Sequence, residues 1–152
     1  MASVFQKELQ SSSFFMPLVL TVLIFLFWRI PYAAIYLNGT GAGAGIWGIF
    51  SIIALFTTIV IPIAYGWMTQ DSKGATLLGV LPYLFATTVP QFVMGEIPVI
   101  DGWLVQRILY IASLSVIGGL GGYFASRHEK ISLFVAIILA GVWFMIFLSG
   151  IK

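Results

Sequence analysis

The charged residues of this chain are few, and they are segregated. Lys7, Glu8, Asp71, Lys73, Glu96, Asp101, Arg127, Glu129, Lys130 and Lys152 lie in short gaps between long apolar runs or at the chain ends, leaving only Arg29 and Arg107 inside hydrophobic sequence. A charged side chain at the centre of a bilayer costs from about 3 to more than 10 kcal/mol depending on the measure, so charge survives mainly at the edges of membrane spans. The distribution is that of an integral membrane protein. Hydrophobic residues make up 61% of the chain, which would leave a soluble domain of 152 residues too few polar side chains to cover its surface. A net charge of +2, scattered along the chain, excludes a nucleic-acid-binding face. With no cysteine there is no disulfide, thiolate nucleophile, iron–sulfur cluster or Cys-ligated zinc.

A helical span needs about 20 apolar residues to cross roughly 30 Å of hydrocarbon. Five stretches meet that length, at about 14–37, 44–68, 75–94, 103–125 and 131–149. None alternates apolar with polar residues as a barrel strand would, and backbone groups in lipid must be bonded within their own segment, so each reads as α-helix. Turn chemistry marks the boundaries. Ser11, Ser12 and Ser13 precede the first helix, Asn38-Gly39-Thr40-Gly41 breaks the chain after it, and Gln70-Asp71-Ser72-Lys73-Gly74 reads as a tight polar turn. Asp101-Gly102 opens the fourth helix, and the stretch from Ser126 to Lys130 is a charged loop. Short connections make sequential helices antiparallel neighbours. The expected architecture is therefore an all-α, polytopic bundle of five spans: a short cytoplasmic segment over residues 1–13, then one transmembrane domain over 14–152. Lys7, Lys73, Arg127 and Lys130 fall on one side, which by the positive-inside rule places the N-terminus in the cytoplasm and the C-terminus outside, in the cell membrane.

Catalytic constellations are sparse. His128 sits in the charged loop with no second His, Cys or carboxylate at ligand spacing, and reads as a solvated loop histidine. The serines lack a base and the glycines lack a phosphate-binding pattern. No catalytic, cofactor-binding or metal-binding residue is assigned, and an autonomous enzyme is not expected. The middle of the third span is its most polar part, with Pro82, Tyr83, Thr87, Thr88, Pro90 and Gln91. Two prolines free backbone carbonyls that threonine hydroxyls are placed to re-satisfy. Pro82, Thr87, Thr88, Pro90 and Gln91 thus mark either a broken helix lining a small site or a kinked helix bonded to its own backbone.

Gly118, Gly119, Gly121 and Gly122 give the fourth span a small-residue face that admits close approach of another helix, a common device where no hydrophobic drive separates helices from lipid. A second glycine cluster, Gly41 to Gly48, opens the second span. Arg29 and Arg107 enter hydrophobic sequence on the side that also carries Glu96 and Asp101. The four form a candidate outer polar cluster in which guanidinium forks meet carboxylates; snorkelling to the headgroups is the alternative. Asn38-Gly39-Thr40 matches the glycosylation acceptor pattern but reads first as a turn, and the five tryptophans read as interfacial belt residues.

No family motif is recognisable. Five spans and the position of Pro90 resemble the Yip-type membrane-trafficking domain in outline, and no function is carried over from that likeness. The residues favour a non-catalytic accessory or structural subunit of a larger membrane complex, of respiratory or oxidase type. Its partners would be the lipid bilayer and other membrane subunits or further copies of itself. The alternative is a small transporter or channel for an uncharged or lipid-like solute centred on the third span.

Overall fold

The computed structural model describes residues 14–27, 43–94 and 102–149, with side chains placed at 14–27, 49–50, 52–85 and 104–149. Five helices account for nearly all of these: α1 (Phe14–Phe27), α2 (Gly43–Thr69), α3 (Ser72–Met94), α4 (Gly102–Ser126) and α5 (Lys130–Ser149). Three of them, within Ile52–Thr69, Leu104–Ser126 and Lys130–Ser149, are long and apolar enough to cross a membrane. The protein is a helical bundle with three helices of membrane-crossing length and composition.

Helix boundaries follow local chemistry. Asp71 caps α3: its Oδ1 accepts the Gly74 N–H at 3.0 Å, the bond by which an N-cap side chain satisfies a donor of the first turn. Asp71 Oδ2 also accepts the Tyr65 hydroxyl at 3.1 Å, tying the end of α2 to the start of α3. The polar turn is accordingly shorter than its composition suggests. Ser72, Lys73 and Gly74 are already helical, because the Asp71 cap lets the helix begin at once and only Gln70 and Asp71 lie between the helices. Gln70 makes the reversal with φ 56°, and His128 does the same after α4. Neither is a glycine, so each turn holds a side-chain-bearing residue in the left-handed region.

Contacts give the helix directions. Gly122 meets Ala75 and Gly118 meets Gly79, so α3 and α4 run antiparallel. Tyr110 donates its hydroxyl to the Phe147 carbonyl at 3.1 Å, and Leu114 shares a core cluster with Trp143, so α4 and α5 are antiparallel as well. Phe25 stacks edge-on against Phe85 with centroids 6.4 Å apart, and Pro17 lies beside Gly74, so α1 runs parallel to α3. The helix at the centre is α4, in contact with α2, α3 and α5; α3 and α4 share the broadest interface, whereas α2 and α5 barely touch.

Candidate functional site

Three places in the bundle bring polar or unusual side chains together. The α3–α4 seam is the first. The Cα of Gly118 lies so close to α3 that a methyl built there would stand 2.7 Å from the Gly79 carbonyl oxygen, and a methyl built on Gly79 would overlap the Gly118 backbone. A methyl on Gly122 would overlap the Ala75 carbonyl, and one on Gly66 of α2 would come within 2.6 Å of the Gly122 carbonyl oxygen and 3.0 Å of Ala75 Cβ. Glycine is required at these points because two backbones occupy the space a side chain would take. The four clustered glycines of α4 differ in role. Gly118 and Gly122 make backbone contact, Gly119 lies against Val80, and Gly121 has Ile63 no nearer than 3.6 Å, an ordinary contact distance. Gly79, Gly66 and Ala75, which complete the junction, stand outside the glycine cluster of α4. Nothing in sequence singles them out, since the four-residue step from Ala75 to Gly79 gains its meaning only from the helix opposite.

The second place lies one to two turns further along the same seam, where Ile59, Tyr83, Leu114 and Trp143 form the buried core. Tyr83 donates its hydroxyl to Thr58 Oγ1 at 2.8 Å, and Thr58 donates to the Leu55 carbonyl at 2.6 Å, a chain joining α3 to α2. Pro62 stands four residues after Thr58 and lacks the N–H that would bond the Thr58 carbonyl; Pro82 does the same to the Leu78 carbonyl. Both prolines are fully buried. Ser115, three residues before Gly118 on the same face of α4, is 5% exposed, and its Oγ finds no hydrogen-bond partner among the described residues. The same holds for Thr21 Oγ1 and the Trp143 indole nitrogen.

Trp143 therefore departs from the interfacial belt expected of it. It is 1% exposed, with its ring 6.1 Å from that of Tyr83 and stacked at 5.5 Å on Phe147. On a helix apolar all round, sequence does not reveal which face turns inward.

The third place is the charged end. His128 is surface-exposed but not merely solvated: its ring stacks on Trp67 with centroids 4.2 Å apart, and its Nδ1 lies 3.0 Å from the Trp67 carbonyl oxygen. Trp67 is in the last turn of α2, where carbonyls have no intrahelical partner, so His128 closes the end of α2 from the α4–α5 loop. Arg127 lies over the Tyr123 ring at 5.7 Å, and Glu129 accepts the Ser132 hydroxyl at 3.1 Å. From this end an apolar groove of about 310 Å³ runs between α2 and α5, lined by Val60, Ile63, Ala64 and Trp67 on one side and Leu133, Ile137 and Ala140 on the other.

Of the kinked-helix candidates, Pro82 is placed in the buried seam. The side chains of Thr87, Thr88, Pro90 and Gln91, in the last turns of α3, lie outside the described residues. So do Arg29, Glu96 and Asp101 of the outer polar cluster, the Asn38 sequon, and the side chains of Trp28, Trp47 and Trp103; Arg107 is exposed on α4. Among the described residues, no three His, Cys, Asp or Glu side chains converge as metal ligands would. Comparison of the chain with protein families, with curated proteins and with solved structures found no match in any of the three.

Proposed function

We propose that the chain is a five-span protein of the cell membrane, with its N-terminus in the cytoplasm and its C-terminus outside, acting as a non-catalytic subunit within a larger membrane complex of respiratory or oxidase type. The alternating directions of α2 to α5 and the parallel course of α1 and α3 agree with five crossings. The observation that carries the subunit reading is the contrast between a bundle interior packed with large side chains and an outer face of α5 that contains a gap. Ile59, Leu114 and Trp143 fill the centre. On the outside, a methyl built on Gly141 would meet nothing within 4 Å, although Ile138 and Met145 around it are large and exposed. A small residue set among large ones leaves room for the backbone of another helix. Purification from native membrane in mild detergent tests this reading. Expected is a particle well above the 16.7 kDa chain plus micelle with other polypeptides in it, and Gly141→Leu should release them without altering the melting of the bundle. A chain that purifies alone, with no partner lost on that substitution, overturns it.

One observation favours the transporter reading. The Ser115 hydroxyl is buried and unpartnered, and the register that sets Gly118 against Gly79 puts it at the level of Pro82, whose missing N–H leaves the Leu78 carbonyl without its helical donor. Polar groups in that condition are usual sites for an ordered water or a small polar solute. Solute uptake into proteoliposomes that is lost with Ser115→Ala would establish it.

A further inference from the structure

We infer that the groove between α2 and α5 is a binding site for one anionic phospholipid, its acyl chain in the groove and its phosphate at the Lys130 end. The inference is independent of the subunit reading and rests on how the groove is bounded. Towards the bundle centre it is closed by Phe56 of α2 and Phe144 of α5, stacked 5.3 Å apart at 25°. At the other end it reaches Trp67, which carries the His128 ring. With α2 and α5 antiparallel, the register set by the phenylalanine stack brings Val60 to the level of Ala140, Ala64 to that of Ile137 and Trp67 to that of Leu133. From Phe56 to Trp67 the helix rises about 16 Å. That is close to half of the roughly 30 Å hydrocarbon core, the depth of one leaflet. A partner transmembrane helix would have to run the full thickness and is blocked by the phenylalanine stack; an acyl chain entering from one surface is not.

Charge decides the headgroup. Lys130, exposed at the start of α5, stands three residues before Leu133 and seven before Ile137, on the helix face that lines the groove. Arg127 precedes it in the same loop, and Lys73 lies in the first turn of α3 on the same side of the bundle. The opposing charges at this end are Asp71, committed to the Gly74 N–H and the Tyr65 hydroxyl, and Glu129, which accepts the Ser132 hydroxyl, leaving three basic residues against two acidic ones. Trp67 and His128 add flat, amphipathic rings at the depth where hydrocarbon gives way to headgroups. Basic residues at the mouth of an apolar interhelical groove suit a phosphate with no compensating cation, whereas a zwitterionic choline headgroup brings its own.

Native mass spectrometry of the full chain in mild detergent, titrated with equal amounts of phosphatidylglycerol and phosphatidylcholine of identical chains, tests the inference. The parent should retain one phosphatidylglycerol in clear preference to phosphatidylcholine. Lys130→Gln should lower that preference about fivefold, the effect of one basic residue near an anionic headgroup. Ala64→Trp, at an exposed position where the fold does not need a small residue, should fill the groove and remove the retained lipid whatever its headgroup. Equal retention of both lipids by the parent overturns the proposal, as does unchanged retention in Ala64→Trp. A photoreactive residue at Val60, on the α2 side of the groove and away from Gly141, that captures a polypeptide instead of lipid in native membrane also overturns it, in favour of a partner helix seated in the groove.

Discussion

The seam between α3 and α4 and the boundary between α2 and α5 join helices of similar apolar composition, and they are built in opposite ways. At the seam Gly79 faces Gly118 and Ala75 faces Gly122 with no side chain between them. At the other boundary large side chains hold the helices apart: Phe56 against Phe144 at one end, Trp67 and Leu133 near the other, and an unfilled groove in the middle. In lipid, apolar side chains gain little from leaving a medium as apolar as themselves, so helix association rests on van der Waals contact and interhelical hydrogen bonds. Small residues supply the first by letting backbones touch. Where they are missing, the space is left to other occupants.

The same substitution placed in both settings should break the comparison most visibly. Gly118→Leu forces the α3 and α4 backbones apart and should abolish the folded bundle, read as loss of the cooperative melt and of the monodisperse peak in detergent; Gly141→Leu, in open space, should leave the melt unchanged and the chain monodisperse. If the two variants melt alike, backbone contact at the seam is not what holds α3 to α4. Trp143→Ala should come next, destabilising by about 3–5 kcal/mol because it empties the space between Tyr83 and Phe147. Denaturant titration followed by circular dichroism would measure it. A smaller loss, about 1 kcal/mol, is expected of His128→Ala, which removes the stack on Trp67 and the bond to its carbonyl. It should appear as faster hydrogen exchange in the last turn of α2 with the α3–α4 seam unaffected. Smallest is Gln70→Gly, which relieves a left-handed residue of its side chain and should raise stability by up to about 1 kcal/mol; a fall would mean that the Gln70 side chain makes contacts that outweigh the strain.

What could be read in advance divides along the same line. The ends of α2 through α5 were legible to within a few residues because charge and turn formers are confined there, and Gly118 with Gly122 stood out by spacing alone. Their partners did not, since Gly79 and Gly66 are isolated glycines whose meaning depends on which helix lies opposite. Sequence alone puts Trp143 at the interface for a related reason: α5 is apolar on every side, so no periodic contrast marks its inner face. The Thr58–Tyr83 bond and the Trp67–His128 stack join residues far apart in sequence, and their register is set by the packing of glycines elsewhere. Pro62, four residues after Thr58, was the one local sign of the first. Whether Arg29, Glu96, Asp101 and Arg107 meet turns on residues outside the described segments.

The central position of α4 bears on how the chain is made. Synthesis runs from the N-terminus, and α2 and α3 are complete before the helix that receives Gly66, Ala75 and Gly79 exists. At about 5–20 residues per second, the two wait in the membrane for a few seconds with their small-residue faces unmatched. Any other helix with a glycine face that diffuses past in that interval competes for them. A chain halted after α3 should therefore be recovered bound to insertion machinery or to stray helices, and one halted just after His128 should already hold together without α5.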